Sequence, residues 1–500
     1  MIILQPLASR LTARQRALMT FACGGAAALG QAPWGAWWLT VPMLAVILHL
    51  LAATETRRAA FWTGVAAGGG YFALALAWIV EPFLIDIAQY GWMAPFALVL
   101  MAGGLGLFWG VAAMLGRMAA TPVWGIAVAL GLAEMARGVV LTGFPWALVG
   151  HVWIDTPVAQ LAAFVGPNGL TLLTLLMAAG LVTGWRTAAA SVLALGLALA
   201  AGALILAQPL PPARDVVLRL VQPNAAQAAK WDADQARILF DRQLAYTAVK
   251  PLPDLTIWPE TAVPYTFERS PNVAGAIARA GGGRPVAVGI QRIEENADGL
   301  RGWNSLRVVA PDGSISATYD KFHLVPFGEY IPFGDLAYRW FGLKAFASQV
   351  GAGYTAGPGP RLLDLGPKLG KVLPLICYEA VFPGVARQAG GRADWILQIT
   401  NDAWFGTWSG PFQHVAQTRL RAIEQGLPLV RVANTGVTGV YDARGQVVDE
   451  LAFGTAAYLD AVLPGALPPT PYARFGEWPA GALYLGVGLA VFLRRRRAVA

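Results

Sequence analysis

Only two cysteines occur in 500 residues, Cys23 inside an apolar run and Cys377 far from it. A disulfide framework is therefore excluded, and Cys377 has to be explained as a free thiol. Histidine is nearly as scarce. His49, His151, His323 and His414 stand isolated, without the close His/Cys spacing that a metal site requires, so no metal and no cofactor is expected. A Walker loop and a GxGxxG following a strand are both missing, which removes the usual handles for nucleotide chemistry. No internal repeat or low-complexity tract is present. Charge is sparse as well, at 13% of residues against 56% hydrophobic, with a mean hydropathy of +0.51. That balance is too apolar for a chain surrounded entirely by water.

The shortage of charge is local. Residues 1–207 carry 13 charged side chains, eight arginines and five acids, whereas residues 208–478 carry 49, of which 25 are basic and 24 acidic. The second region is nearly neutral, so most of the net +8 lies among the apolar segments. Such a distribution fits a membrane topology and offers no groove for phosphate backbones; no nucleic-acid partner is expected. Seven apolar stretches, at 12–29, 34–53, 60–80, 91–115, 121–141, 157–184 and 188–207, lie near the ~20 residues that cross a bilayer. An eighth runs from Trp478 to Leu493. Arg10, Arg14 and Arg16 precede the first stretch, and Arg57, Arg58, Arg117, Arg186 and Arg494–Arg497 fall in every even-numbered connection. The odd connections, at 30–33, 81–90 and 142–156, contain no Lys or Arg. By the positive-inside rule both termini face the cytoplasm and residues 208–477 lie outside.

The expected organisation is therefore a membrane domain of seven transmembrane helices at 1–207, a more polar outer domain at 208–477, and a C-terminal span with a basic tail at 478–500. The first stretch also fits a cleaved signal peptide, given its basic lead and Gly24-Gly25-Ala26, although six further spans leave topology no need for cleavage. Glu134 and Arg137, three apart on one helical face, are expected to pair inside the fifth stretch, because charge at that depth is costly alone. A binding role near the outer membrane surface is the alternative, since Arg137 leads into Leu141-Thr142-Gly143-Phe144-Pro145-Trp146.

From residue 216 the texture changes to short β-rich runs: 216–221, 255–258, 286–289, 305–309, 371–376, 395–399 and 429–432. Helical stretches at 234–249 and 412–425 interleave with them, and Pro311-Asp312-Gly313 and Ala443-Arg444-Gly445 read as hairpin turns. This alternation predicts one α/β domain built from two layered sheets. Three runs end in a reactive residue. Trp258-Pro259-Glu260 sets a carboxylate past a strand, Tyr319-Asp320-Lys321 sets a lysine after a hairpin strand, and Ile376-Cys377-Tyr378-Glu379 sets a thiol at a strand end. Clefts form at strand ends in open sheets, so the three residues can converge. A carboxylate base activates a thiol whose ordinary pKa is ~8.5, and an ammonium stabilises the oxyanion formed when that thiol attacks a carbonyl. Taken singly, each has a plain alternative: Cys377 as a small core side chain, and Lys321 and Glu260 as solvated charges near strand ends.

In that order, WPE, the lysine of DKFHLVPFGE and CYE resemble the Glu-Lys-Cys triad of the nitrilase superfamily. Together with the spans, and with LTGFPW (141–146), Lys230-Trp231-Asp232, NDAWFG (401–406), GPFQH (410–414) and PYAR (471–474), the chain resembles the membrane-embedded branch of that superfamily, the bacterial apolipoprotein N-acyltransferases. The resemblance implies a nitrilase-like αββα sandwich on the outer side of the bacterial inner membrane, in the periplasm. It implies transfer of an acyl chain from a phospholipid donor to the N-terminal amine of a diacylglyceryl apolipoprotein, by a ping-pong route through a thioester. It casts Cys377 as nucleophile, Glu260 as general base and acid, Lys321 as oxyanion stabiliser and Glu329 as their support. The backbone N–H of Tyr378 becomes a second oxyanion donor, and Trp231, Tyr378 and Glu379 fall around the substrate pocket. One departure is Thr435-Gly436-Val437-Thr438-Gly439, where an Asn-Gly-Ile-Thr-like turn is the family's pattern.

Two other classes compete. A membrane-tethered amidase would carry the same triad, but a small polar substrate gives no reason for seven preceding spans. A transporter with an outer binding domain is poorly supported, because charge is scarce in the spans and no halved repeat is present. The stretch after Lys321 holds eight aromatics between Phe322 and Phe346. With breakers at Gly328, Pro332 and Gly334, roughly 330–346 is expected to form a mobile arm dipping into the outer leaflet.

Overall fold

The structure is a computed structural model that describes residues 11–227, 232–296, 299–331 and 353–499. Trp231 and residues 332–346 of the aromatic arm lie outside the described residues. The chain divides into two compact units: Met1–Pro209 with Phe405–Leu420 and Pro469–Ala500, and Leu210–Trp404 with Arg421–Pro468.

Every apolar stretch expected in the first unit is helical. The helices are α1 (Ala13–Ala28), α2 (Trp37–Ala52), α3 (Arg57–Ala75), α4 (Ala94–Gly116), α5 (Pro122–Arg137), α6 (Ala162–Thr183), α7 (Trp185–Leu206) and, near the C-terminus, Trp478–Val499. Their lengths differ. Among the described residues, Ile87–Gly116, Pro157–Thr183 and Trp185–Leu206 are long and apolar enough to cross a membrane. A fourth span is reached if Arg57–Ala75 and Ala77–Leu84, bent by 67° at their junction, count as one. A helix the length of α2, at ~1.5 Å per residue, covers only about 24 Å of a ~30 Å hydrocarbon core. Length and composition thus give three or four spans against the eight expected from the arginine pattern.

Charge inside this unit is paired. Arg137 meets Glu134 at 2.6 Å, both nearly fully buried, and the Trp109 indole donates to Glu134 Oε1 at 2.9 Å. Arg137 also donates to the carbonyls of Phe144 and, at 2.8 Å, of Trp146. Gln31 donates to the Leu148 carbonyl at 2.9 Å and Tyr71 to that of Ala147 at 3.2 Å, so the 144–148 backbone is held from three directions. The buried Trp146 then donates to Gln413 Oε1 at 2.8 Å and stacks on His414. The pair is the internal one expected, and its spare donors fix the loop.

The second unit contains two mixed six-stranded sheets. One has the order β12-β1-β2-β3-β4-β5, with β1 at Val217–Gln222, β2 at Leu255–Ile257, β3 at Val286–Asn296, β4 at Gly299–Val309, β5 at Ile315–Asp320 and β12 at Ala457–Val462. The other runs β11-β10-β9-β8-β7-β6, with β6 at Leu363–Asp364, β7 at Lys371–Ile376, β8 at Trp395–Thr400, β9 at Leu429–Ala433, β10 at Thr438–Tyr441 and β11 at Val447–Leu451. The parallel pairs are β1–β2, β2–β3, β7–β8 and β8–β9. Their Val/Leu/Ile runs suit strands buried on both faces, and β8 and β9 are buried throughout. The turns at 311–313 and 443–445 join β4 to β5 and β10 to β11 as hairpins. Helix α8 (Ala233–Ala248) and helix α9 (Asn272–Gly281) cover the first sheet, where Phe240 and Ile277 share a core with Trp258, Val286 and Val288.

Three strands end where the chemistry-bearing residues begin: β2 before Trp258-Pro259-Glu260, β5 before Lys321 and β7 before Cys377. Gly289 on β3 makes room for the first of these, because a Cβ there would come 2.2 Å from the Pro259 carbonyl and 2.6 Å from Glu260 Cα. Gly289→Ala is therefore expected to lower the thermal midpoint of the full chain, by the ~1–3 kcal/mol typical of overpacking. Gly275→Ala, inside α9 where the new methyl meets only Arg279 at 3.5 Å, should leave the midpoint unchanged or raised. Equal midpoints for the two variants would contradict this account of the β2–β3 contact.

Candidate active site

Lys321 is 1% exposed and sits between two carboxylates. Its ammonium lies 2.9 Å from Glu329 and 3.5 Å from Glu260 Oε1. A buried cation is tolerated only when compensated, and these glutamates supply the compensation. Glu260 Oε1 accepts from Asn304 Nδ2 at 2.6 Å, and Glu260 Oε2 accepts from the Asn401 amide at 2.8 Å. Asn304 donates its second hydrogen to Glu329 Oε1 at 3.0 Å, and the Val325 amide donates to Glu329 Oε2 at 2.9 Å. Asn304 on β4 thus holds both of the carboxylates that meet the lysine. Cys377, 5% exposed, falls within the electrostatic reach of Glu260 and Lys321. Gln398 Nε2 donates to its carbonyl at 3.2 Å.

The backbone here is unusual. Thr261 (φ 47°), next to Glu260, Phe327 (φ 64°), two residues before Glu329, and Cys377 itself (φ 50°) all adopt the left-handed region. That conformation costs an L-residue about 1–2 kcal/mol, and such positions gather at functional sites.

Glu379 is fully buried and accepts from four donors: the amides of Ile376 (2.8 Å), Phe322 (2.8 Å) and His323 (3.3 Å), and the Tyr319 hydroxyl (3.0 Å). Its carboxylate braces the chain on either side of Lys321 against the end of β7, beside Cys377. Tyr378 is also buried, with its ring edge-on to Phe382 and His323. Asn401, whose side chain donates to Gln227 Oε1 at 2.7 Å, receives a hydrogen bond from Asn434 at 2.8 Å.

Two family models match this chain. Residues 23–180 match the apolipoprotein N-acyltransferase N-terminal domain, and residues 218–464 match carbon-nitrogen hydrolase. The apolipoprotein N-acyltransferase of Caulobacter vibrioides is 40% identical, over 93% of this chain and 92% of its own. The chain belongs to the apolipoprotein N-acyltransferase family. The relative of the same name in Bradyrhizobium diazoefficiens is 38% identical over 97% of this chain and 96% of its own. The two mixed sheets are accordingly those of the carbon-nitrogen hydrolase, or nitrilase-like, fold.

In this member of the N-acyltransferase family, the electrostatics of the site follow from burial and from the two carboxylates. Burial raises the Cys377 thiol well above the usual cysteine range, and Glu260 adds to the rise while Lys321 offsets only part of it. Burial alone would lower Lys321; Glu329 and then Glu260 outweigh it and hold the ammonium above the ordinary lysine range. Burial pushes Glu379 up to about 7, against the pull of its backbone donors. Burial and the neighbouring Glu260 carboxylate thus both favour the neutral form of the Cys377 thiol.

Sequence reasoning reached Glu260, Lys321, Glu329 and Cys377 but missed Asn304 and Gln398. Each is an ordinary-looking strand residue. Only the register of β4 and β8 brings them to this cluster.

Replacing Glu260 with Gln, in a Cys23→Ala background, should act in opposite directions on two readouts. Removing the negative neighbour lowers the thiol pKa, so iodoacetamide should modify Cys377 faster at pH 8. Acyl transfer should fall by the ~10²–10⁴-fold typical of a lost acid/base group. Unchanged alkylation would place Glu260 away from the thiol.

Proposed function

We propose that the chain transfers a fatty acyl group from a membrane phospholipid to the N-terminal amine of the S-diacylglyceryl cysteine of an apolipoprotein, completing lipoprotein maturation. One observation carries the reading: a buried thiol on a left-handed turn shares its surroundings with a Glu–Lys–Glu cluster, in a chain matching the N-acyltransferase family over nearly its whole length. A soluble-substrate amidase would have no use for the match over residues 23–180.

In the first step Glu260 takes the Cys377 proton as Sγ attacks the donor's ester carbonyl. The Sγ–carbon bond forms and negative charge moves to the carbonyl oxygen, where the Lys321 ammonium and the Tyr378 amide stabilise it. Collapse breaks the ester carbon–oxygen bond, and Glu260 returns the proton to the leaving glycerol oxygen. A lysophospholipid departs. In the second step Glu260 takes a proton from the acceptor's amine as nitrogen attacks the thioester carbonyl; collapse breaks the carbon–Sγ bond, the amide forms and Glu260 returns the proton to the Cys377 sulfur. Glu329 and Asn304 keep Lys321 and Glu260 in register, and Glu379 keeps the two strand ends together. Exclusion of water from this buried cluster favours aminolysis over hydrolysis of the thioester.

Eight spans in the inner membrane, both termini in the cytoplasm and a periplasmic catalytic domain at 208–477 complete the reading. The arginine pattern supports this topology, and short helices such as α2 fit it with interfacial Trp and Arg anchors. A two-step route predicts that phospholipid alone releases a burst of lysophospholipid equal to the enzyme present, and that double-reciprocal plots against donor are parallel at several acceptor concentrations. Lysophospholipid release only in the presence of acceptor would contradict it.

A further inference from the structure

Behind Cys377 lies a buried ion pair that the chemistry above does not use. Arg431, on β9, and Asp402, after β8, are both fully buried and in direct contact. The guanidinium has three destinations. Nε donates to the Val437 carbonyl at 3.1 Å, one Nη donates to Asp402 and the other donates to Gln398 Oε1. Gln398 and Arg431 are register partners across β8 and β9, and Leu375 is the partner of Gln398 on β7, two residues before the nucleophile.

Each destination leads onward. Gln398, its oxygen held by Arg431, has its Nε2 turned to the Cys377 carbonyl at 3.2 Å. Asp402 Oδ1 accepts from the Thr400 hydroxyl at 2.9 Å, and that hydroxyl is a hydrogen-bond partner of the Cys377 side chain. Cys377 is left-handed at φ 50°, a conformation that persists only where the surroundings over-determine it. The site is also closed from behind. A Cβ on Gly436 would come 2.1 Å from Asp402 Oδ2, so the 434–438 turn packs on the pair with no space for a side chain.

We propose that Arg431 is a positioning residue for the nucleophile, fixing the Cys377 carbonyl through Gln398 and the surroundings of its thiol through Asp402 and Thr400. The inference rests on the reading of Cys377 as nucleophile. Only a planar fork of donors serves three acceptors in divergent directions; a lysine would reach one or two. Arg219 on β1 is the instructive contrast. It is equally buried and pairs with Asp460 at 2.6 Å, but its remaining donors go to the carbonyls of Tyr246, Thr247, Val249 and Pro251, tying down the end of α8. The charge on Asp402 opposes ionisation of Cys377, so pairing it with Arg431 also keeps the thiol within reach of its base.

The test uses the full chain in a Cys23→Ala background, with a phospholipid of one defined acyl composition as donor. Arg431→Met/Asp402→Asn removes both buried charges together, which protects folding, and Gln398→Leu removes only the carbonyl arm at similar volume. Both should slow the lysophospholipid burst by about tenfold or more, with the donor KM within about twofold of the parent. Iodoacetamide modification separates the arms: its pH profile should stay in place for Gln398→Leu and move to lower pH for Asp402→Asn alone, which removes the negative neighbour and leaves the Arg431 cation. Arg219→Lys, carrying a comparable loss of stability, should change neither burst nor profile. A folded double variant with the parent's burst rate, or the same slowing in Arg219→Lys, overturns the proposal. Absence of any burst in the parent protein would instead overturn the acyl-transfer reading, and the pH profiles would still decide whether Arg431 and Asp402 govern the thiol.

Discussion

An ammonium buried to 1% exposure has to be matched by negative charge, and the second unit of this chain is arranged around that requirement at Lys321. Glu260 arrives from the end of β2 and Glu329 from the segment after β5, and Asn304 on β4 divides its two hydrogens between them. Three stretches of the chain, at 260, at 304 and at 321–329, are thereby brought to one point. The cost of desolvating the lysine is offset only while all are in place. The same cluster sets the chemistry. Burial, and after it the Glu260 carboxylate, raise the Cys377 thiol, and the Lys321 ammonium offsets only part of that rise.

The first unit answers the same constraint with different parts. Glu134 and Arg137 neutralise each other on one helix face, and the arginine donors left over reach the carbonyls of Phe144 and Trp146. That loop has Leu141 and Ala147 in the left-handed region, so it needs outside support, and Gln31 and Tyr71 supply the rest. In both units a buried charge thus does double duty, satisfying its counter-ion and holding an irregular piece of backbone.

How much of this is legible in the sequence depends on the range of the interaction. Helix positions follow from apolar runs punctuated by arginine, a local signal, and every expected stretch is helical. The number that cross by length is not local: bends such as the 67° break after Ala75 and short helices such as Trp37–Ala52 depend on packing that hydropathy does not encode. Glu260, Lys321 and Cys377 stand out because each follows a β-rich run. Glu379 was placed around the substrate pocket by family resemblance, while its four donors describe a brace, visible only once Phe322, His323, Tyr319 and Ile376 are brought together. Asn304, Gln398 and Arg431 leave no local trace. Strands β6, β10, β11 and β12 are not among the β-rich runs of the sequence; Val447–Leu451, for one, is exposed along nearly its whole length and carries no buried alternation.

The central claim is that Cys377 itself carries the acyl group between donor and acceptor. Its most direct test is the mass of the Cys377 peptide after the full chain is incubated with a phospholipid of one defined acyl composition and no acceptor. The account predicts that this peptide gains one acyl group, and that adding a diacylglyceryl peptide with a free N-terminal amine returns it to its original mass as the amide product forms. An unmodified Cys377 in enzyme that nevertheless produces the amide would contradict it.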